Sequence, residues 1–151
     1  MYSHLLLIHS YFRWVVLAAL LFQLVWVWVQ SRRNKVFEKQ DYQILQGLIG
    51  IFNIQFLLGW LLFLSSPLTM AFWSDIATHV KSRELRFFGL EHITMMSLGI
   101  IWMNVLGSKS KAKIGEAYFK ILLKNLAWIY LIILSSIPWS FSPLTSRPNF
   151  R

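Results

Sequence analysis

Two histidines in apolar surroundings are the residues of this chain best suited to chemistry. His9 and His92 lie inside long apolar runs, where an ionisable side chain normally faces away from lipid and serves a function. Helical rise places the two within about 1.5 Å of the same depth from the start of their runs. Two neutral imidazoles from two helices can bind a haem iron axially, within an apolar bundle that covers the macrocycle. The pair therefore predicts one haem b, with His9 and His92 as ligands of its iron.

Other residues at the same level fit such a group. Arg13 follows His9 by four residues and shares its helix face, and Arg86 stands at the entry of the run that holds His92. Either guanidinium can pair with a haem propionate. Small residues at this depth leave room beside a bulky ligand: Gly59, Ser135 and Ser136.

Other interpretations of the same residues stay open. The histidines can instead form interhelical hydrogen bonds that only brace a packed bundle. Met95 and Met96 follow His92 closely, and thioethers together with imidazole suit Cu(I). Glu91 can form a buried ion pair with Arg13, because an unpaired charge at this depth is costly.

Four segments are long and apolar enough to carry these residues across a membrane, which takes about 20 mainly apolar residues. They are residues 5–29, 44–64, 87–106 and 121–139. The runs are continuous and do not alternate, which argues against a transmembrane barrel. The sequence therefore predicts an all-α protein, an integral membrane four-helix bundle that forms a single domain over residues 1–151.

The connections carry weaker signals. Ser65, Ser66 and Pro67 end the second span. Residues 70–80 predict a short amphipathic helix lying on the membrane interface. Two prolines predict an extended tail over residues 140–151.

The composition supports a membrane protein and excludes several kinds of site. Of the 151 residues 56% are hydrophobic and 14% charged, whereas soluble domains carry about 25% charged residues. The net charge of +9 lies in short basic blocks between apolar runs, a pattern typical of membrane loops and not of a nucleic-acid surface. Because the chain has no cysteine, disulfides, thiolate catalysis and c-type haem attachment are excluded.

The basic residues also predict the orientation. Nine Lys and Arg lie in or near the first and third loops, against five in the second loop and the tail, with Arg13 set aside. This excess places loops one and three in the cytoplasm and both termini outside. We expect the basic loops to contact acidic lipid headgroups.

Four stretches carry a resemblance to a known family: HSYFRW (9–14), RFFGLEHITMM (86–96), GSKSKAK (107–113) and SSIPW (135–139). Together they resemble small four-helix bacterial membrane proteins labelled cytochrome b-like, over nearly the whole chain. The resemblance implies His9 and His92 as haem ligands and a location in the bacterial inner membrane. The chain lacks the widely spaced histidine pairs of the large two-haem cytochrome b, so a quinol-oxidising role does not carry over.

The expected function is electron transfer, either alone or as a small subunit of a respiratory complex. The alternative is a non-enzymatic structural or assembly subunit whose polar layer only holds helices together. A third is a small metal or proton-coupled carrier. A haem site needs both histidines, whereas a carrier needs a polar path to the cytoplasmic side, where helix two offers only Asn53 and Gln55 near mid-membrane.

The first prediction concerns orientation. A topology reporter fused after Arg151 should be active on the outer side of the membrane, because the basic loops are retained in the cytoplasm. The same reporter inserted after Lys111, in the third loop, should be active in the cytoplasm. Cytoplasmic activity of the Arg151 fusion would contradict the orientation.

Overall fold

A computed structural model of the chain describes residues 2–140, and this part is helical apart from short connections and contains no strand. The helices in chain order are α1 (Tyr2–Arg32), α2 (Lys39–Ser65), α3 (Pro67–Ser74), α4 (Ile76–His79), α5 (Arg83–Arg86), a π-turn (Phe87–Glu91), α6 (His92–Ser110), a 3-10 turn (Lys111–Lys113) and α7 (Phe119–Ser135). The all-α prediction is confirmed.

The first two predicted spans fall on α1 and α2, but both helices are longer at each end than 5–29 and 44–64. Tyr, Gln, Lys and Arg flank the apolar runs, and none of these residues interrupts a helix. The hydrophobic stretch therefore marks the middle of each helix and not its ends.

The third and fourth predicted spans differ more. The third, 87–106, is the middle of a continuous helical run over residues 83–110 that includes the π-turn. The fourth, 121–139, ends early at Ser135, and the chain has left the helix before Pro138. A residue that precedes proline disfavours helical backbone, which accounts for the early end.

The four long helices pack in a ring. α1 contacts α2 and α7, and α6 contacts the same two helices on the other side. α1 and α6 therefore lie diagonally across the ring. The core between the helices is apolar and includes Leu20, Phe52, Met103, Leu126 and Ile129.

Two helices, α1 and α2, are long and apolar enough to cross a membrane. In their most apolar stretches only 33% and 17% of the residues are buried inside the protein. Leu21, Leu57 and Leu64 are among the large apolar side chains that point outwards. Both helices are thus apolar on their outer as well as their inner face, which is typical of membrane spans or of helices inside a larger protein.

The connection between α2 and the third long helix folds as short helices. The single amphipathic helix predicted over 70–80 is interrupted at Asp75, between α3 and α4. The Asp75 carboxylate accepts a hydrogen bond from the backbone N–H of Thr78, and hydrogen bonding from the side chain and the backbone of Thr78 lowers the pKa of the carboxyl group. On α3, the Phe72 side chain is buried, whereas the Met70 and Trp73 side chains are exposed. The predicted extended tail lies outside the described residues, apart from Ser140.

Loop one is held at the start of α2 by a buried carboxylate. Asp41 accepts hydrogen bonds from the backbone N–H of Glu38 (2.9 Å) and from Lys35 Nζ (3.0 Å). The hydrogen bond to Asp41 raises the pKa of the Lys35 amine. A carboxylate in the first turn also favours the helix through its dipole.

Loops one and three lie together at the same end of the protein. The N–H of Phe37 donates to the Glu116 carbonyl (3.0 Å), and the N–H of Gly115 donates back to the Phe37 carbonyl (2.8 Å). The Phe37 ring is fully buried, with the rings of Tyr118 and Phe119 at 5.4 and 5.5 Å between centroids. Gly115 has φ +94°, a conformation open to glycine.

The second prediction tests this junction. Phe37→Ala should lower the free energy of unfolding by about 3–5 kcal/mol, because it leaves a cavity in a packed aromatic cluster. Val36→Ala, at the exposed neighbouring position, should change it by less than about 0.5 kcal/mol. Denaturant unfolding in detergent measures both, and equal effects would contradict the packing of Phe37.

Candidate functional site

The two histidines singled out from the sequence meet across the ring of helices. The imidazole centroids of His9 and His92 are 6.4 Å apart, with 81° between the ring planes. The fold therefore brings the two rings close together, and their common depth in a membrane stays a prediction. His9 comes from α1, and His92 is the first residue of α6, so the pair links two diagonal helices.

A backbone hydrogen bond fixes the tautomer of His92. Its Nδ1 lies 2.7 Å from the carbonyl oxygen of Ser136, at the end of α7. A carbonyl oxygen can only accept, so Nδ1 must carry the proton. In the neutral ring, Nε2 then keeps its lone pair and is the nitrogen able to bind a metal.

His9 is held from α2. The side-chain amide of Gln55 donates to the His9 carbonyl oxygen (3.1 Å) and lies 3.4 Å from His9 Nε2. His9 Nδ1 and Gln55 Oε1 are buried and have no hydrogen-bond partner within residues 2–140. Buried polar atoms of this kind are uncommon and indicate a water, an ion or a functional role.

Gly59 contacts His9 directly. A Cβ atom at this glycine would lie 3.1 Å from His9 Cε1, closer than ordinary van der Waals contact. The sequence predicts room for a ligand beside Gly59, and the structure places the His9 ring itself in that room. Ser136 reaches the same level, as predicted, but through its carbonyl oxygen on His92.

A cavity of about 150 Å³ lies at the histidine pair and is partly open to the surface. His9, His92, Arg13, Gln55 and Gly59 all line it. The rest of the wall is mainly apolar and includes Phe52, Phe56, Met96, Ile100, Ile133 and Pro138. The arrangement of an apolar pocket with a few convergent polar groups is typical of a ligand site.

The two arginines predicted for a haem propionate are placed differently. Arg13 lines the cavity, with its guanidinium carbon 5.4 Å from the centroid of the Trp14 ring. Arg86 is not among the lining residues. Its Nε donates to Glu91 Oε1 (2.6 Å) and its Nη1 to the Val80 carbonyl (2.9 Å).

The Arg86–Glu91 ion pair also corrects a sequence interpretation, which pairs Glu91 with Arg13. Residues five apart lie about 140° apart around an α-helix, so the sequence gives no reason to join Arg86 to Glu91. The π-turn between them closes i to i+5 hydrogen bonds, seen where the His92 N–H donates to the Phe87 carbonyl. That turn brings Arg86 and Glu91 onto one face.

Two asparagines brace the bundle elsewhere. Asn53 of α2 and Asn104 of α6 donate to each other's side-chain oxygen at 3.2 and 2.9 Å. Trp102 Nε1 donates to Asn125 Oδ1 of α7 at 3.1 Å. Asn53 is thus part of an interhelical contact and not of the histidine site, whereas Gln55 is part of the site.

The copper interpretation has partial geometric support. Met96 lines the cavity beside His92, but Met95 is not among the lining residues. Within residues 2–140 no group of three or more His, Asp or Glu side chains is placed to hold a metal ion. A centre held by two protein ligands, as haem iron can be, needs no such group.

Comparison with protein-family models, with characterised proteins and with solved structures finds no match for this chain. The functional argument therefore rests on the geometry of the site. The resemblance to cytochrome b-like proteins stays a prediction.

The third prediction tests the contact beneath His9. Gly59→Ala should shift the imidazole signals of His9 in a ¹⁵N-histidine NMR spectrum, because the added methyl group displaces the ring. Gly50→Ala is the matched control on the same helix, since a Cβ there meets nothing within 4 Å. It should leave these signals unchanged and raise stability by about 0.5–1 kcal/mol. Unchanged His9 signals in Gly59→Ala would contradict the contact.

Proposed function

We propose that this chain is a four-span membrane protein that holds one haem b between His9 and His92 and transfers electrons. The observation that carries the proposal is the separation of the two imidazoles. Two metal–nitrogen bonds of about 2 Å each, plus about 1 Å from each nitrogen to its ring centre, amount to about 6 Å. The observed 6.4 Å between ring centroids agrees with that length.

The hydrogen bonds around the pair also fit axial ligation. A ligating histidine usually donates its other N–H to a carbonyl or carboxylate, which sets the tautomer and the ring orientation. His92 already makes such a bond to Ser136 O. The Gln55 amide N–H, which can only donate, lies 3.4 Å from His9 Nε2, so that nitrogen accepts and the ring proton belongs on Nδ1. Binding of iron through His9 Nε2 would take the place of this contact.

The cavity fits a flat apolar group with charged edges. Its walls are mainly apolar, and Arg13 supplies a cation for a propionate. Pockets for drug-sized ligands measure about 300–1,000 Å³, so a macrocycle would fill the 150 Å³ found here and move its walls outwards. Gly59 lets the α2 backbone lie against the His9 ring.

The residues favour electron transfer over catalysis at the iron. Bound haem supplies an iron that can gain and lose one electron. His9 and His92 would both hold the iron, so the group would exchange electrons without binding a substrate at the metal. The apolar walls would surround much of the group, a further means of tuning its potential.

The membrane part of the proposal rests on outward-facing apolar surface. The helical run over residues 83–110 is long enough to span a bilayer, at about 42 Å for 1.5 Å per residue, and α7 measures about 26 Å. Ile101, Trp128 and Leu131 on these helices are exposed.

The basic loops one and three share one end of the protein, which suits a cytoplasmic face on acidic headgroups in a bacterial inner membrane. A small respiratory-complex subunit would have this form.

A structural or assembly subunit is the second candidate. The His92 bond to Ser136 O ties α6 to the end of α7, and such a bond can brace helices without any cofactor. This function predicts a colourless protein in which the histidines affect only stability.

The fourth prediction separates the two. Protein purified in detergent from cells supplied with haem should show the sharp reduced-state bands of low-spin iron. His9→Ala and His92→Ala should each abolish these bands or convert the iron to high-spin, because each removes an axial ligand. The measurement is the reduced-minus-oxidised visible spectrum.

His4→Ala is the matched control, since His4 lies on the same helix as His9 but is exposed. It should leave the spectrum unchanged. A colourless wild type, or bands that persist in both His9→Ala and His92→Ala, would overturn the haem proposal.

A further inference from the structure

We infer that Phe72 and Gly89 form a positioning contact that sets the orientation of His92 through the π-turn. The inference rests on the proposed function for its consequence at a haem, but the contact and the turn are features of the protein itself. Phe72 comes from α3 and Gly89 is the middle residue of the π-turn. Neither lines the cavity, so an effect on the site must pass through another residue.

The contact leaves no space for a side chain at position 89. A Cβ atom on Gly89 would lie 2.4–2.6 Å from the Cγ, Cδ1 and Cβ atoms of Phe72. These atoms are the attachment point and the near edge of a phenyl ring that is 1% exposed, so the Phe72 side chain cannot easily move away from a Cβ atom at position 89. α3 therefore packs directly on the backbone of the π-turn.

The π-turn determines where the following residue points. Its i to i+5 hydrogen bonds enclose one residue more than the i to i+4 bonds of an α-helix, so later side chains are displaced by about one residue, or 100°, around the helix. π-turns are rare and frequently occur at functional sites. Here the first residue after the turn is His92, whose own N–H closes the i to i+5 bond to Phe87.

The orientation of His92 is then completed by its surroundings. The rings of Phe87 and Phe88, both in the π-turn, lie 5.7 and 6.4 Å from the His92 ring centroid. The Nδ1–H points to Ser136 O. If the turn reverted to regular α-helix, His92 would rotate away from that carbonyl and from His9.

A second glycine of the same helical run provides the matched control. A Cβ at Gly107 would lie 2.4 Å from Ile49 Cδ1, the far end of a side chain that can turn more easily than the base of the Phe72 ring. Gly107 lies in regular helix near the other end of α6. Both substitutions should disturb packing, Gly107→Ala less than Gly89→Ala, whereas a change at His92 should follow from only one.

The experiment compares Gly89→Ala with Gly107→Ala in the full chain in detergent. The first readout is ¹⁵N-histidine NMR of haem-free protein. Gly89→Ala should shift the His92 Nδ1–H signal and make this proton exchange faster with solvent. Gly107→Ala should do neither. The second is titration with iron protoporphyrin IX, where Gly89→Ala should weaken binding by about tenfold or more, as loss of ligand orientation does at metal sites. Both variants should unfold at a lower temperature than wild type.

Phe72→Gly provides the rescue. Removing the whole side chain, including the Cβ atom that lies 2.6 Å from a Cβ at Gly89, makes room for the methyl group of Gly89→Ala. The double variant should therefore recover the His92 signal of Phe72→Gly alone. Phe72→Gly also tests the contact if Gly89→Ala does not fold, since loss of the contact should by itself broaden the His92 signal.

The outcomes separate this inference from the haem proposal. Equal effects of Gly89→Ala and Gly107→Ala on the His92 signal, or no recovery in the double variant, would overturn the positioning role. A wild type that binds no iron protoporphyrin, but whose His92 signal responds to Gly89→Ala alone, would overturn the haem proposal and support the positioning contact.

Discussion

Polar groups within apolar helices must find their hydrogen-bond partners inside the protein, because neither lipid nor a packed core supplies them. Most of the polar side chains of the long helices follow this constraint. Asn53 pairs with Asn104, and His92 pairs with a carbonyl left free by the end of α7. Within residues 2–140, His9 Nδ1 and Gln55 Oε1 depart from it beside the cavity, and the Gln23 amide and Trp26 Nε1 depart from it elsewhere on α1. The candidate site is thus one of two places where the constraint is incompletely met, and the one where an ionisable ring is involved.

The histidine site depends on how helices end and turn more than on their apolar faces. α7 ends early, which exposes the Ser136 carbonyl to His92. The π-turn before α6 sets the direction of His92 and joins Arg86 to Glu91 across five residues. Both features lie at the same end of the protein, where α3 packs on Gly89. Irregular backbone at that end therefore orients the His92 ring, whereas the His9 ring is held by Gln55 and Gly59 of the regular helix α2.

The sequence predicted the features that depend on composition and helical spacing. It placed His9 and His92 at one level because rise per residue is constant, and it placed Gly59 and Ser136 beside them. It gave Arg13 and Arg86 as alternative partners for a propionate, and the structure separates them, since Arg13 lines the cavity and Arg86 does not. Gln55 was visible as a polar residue in an apolar run, but its partner on another helix was not.

The sequence by itself determined that the chain is helical, that its long helices are apolar on all sides, and which ionisable residues lie among them. These follow from residue type and local periodicity, which act over a few residues. Only the tertiary structure decided the helix ends, the π-turn, the Arg86–Glu91 pair and the Phe72–Gly89 contact. Each of these depends on groups from different elements competing for one space or one hydrogen bond, and that competition is settled only when the helices pack.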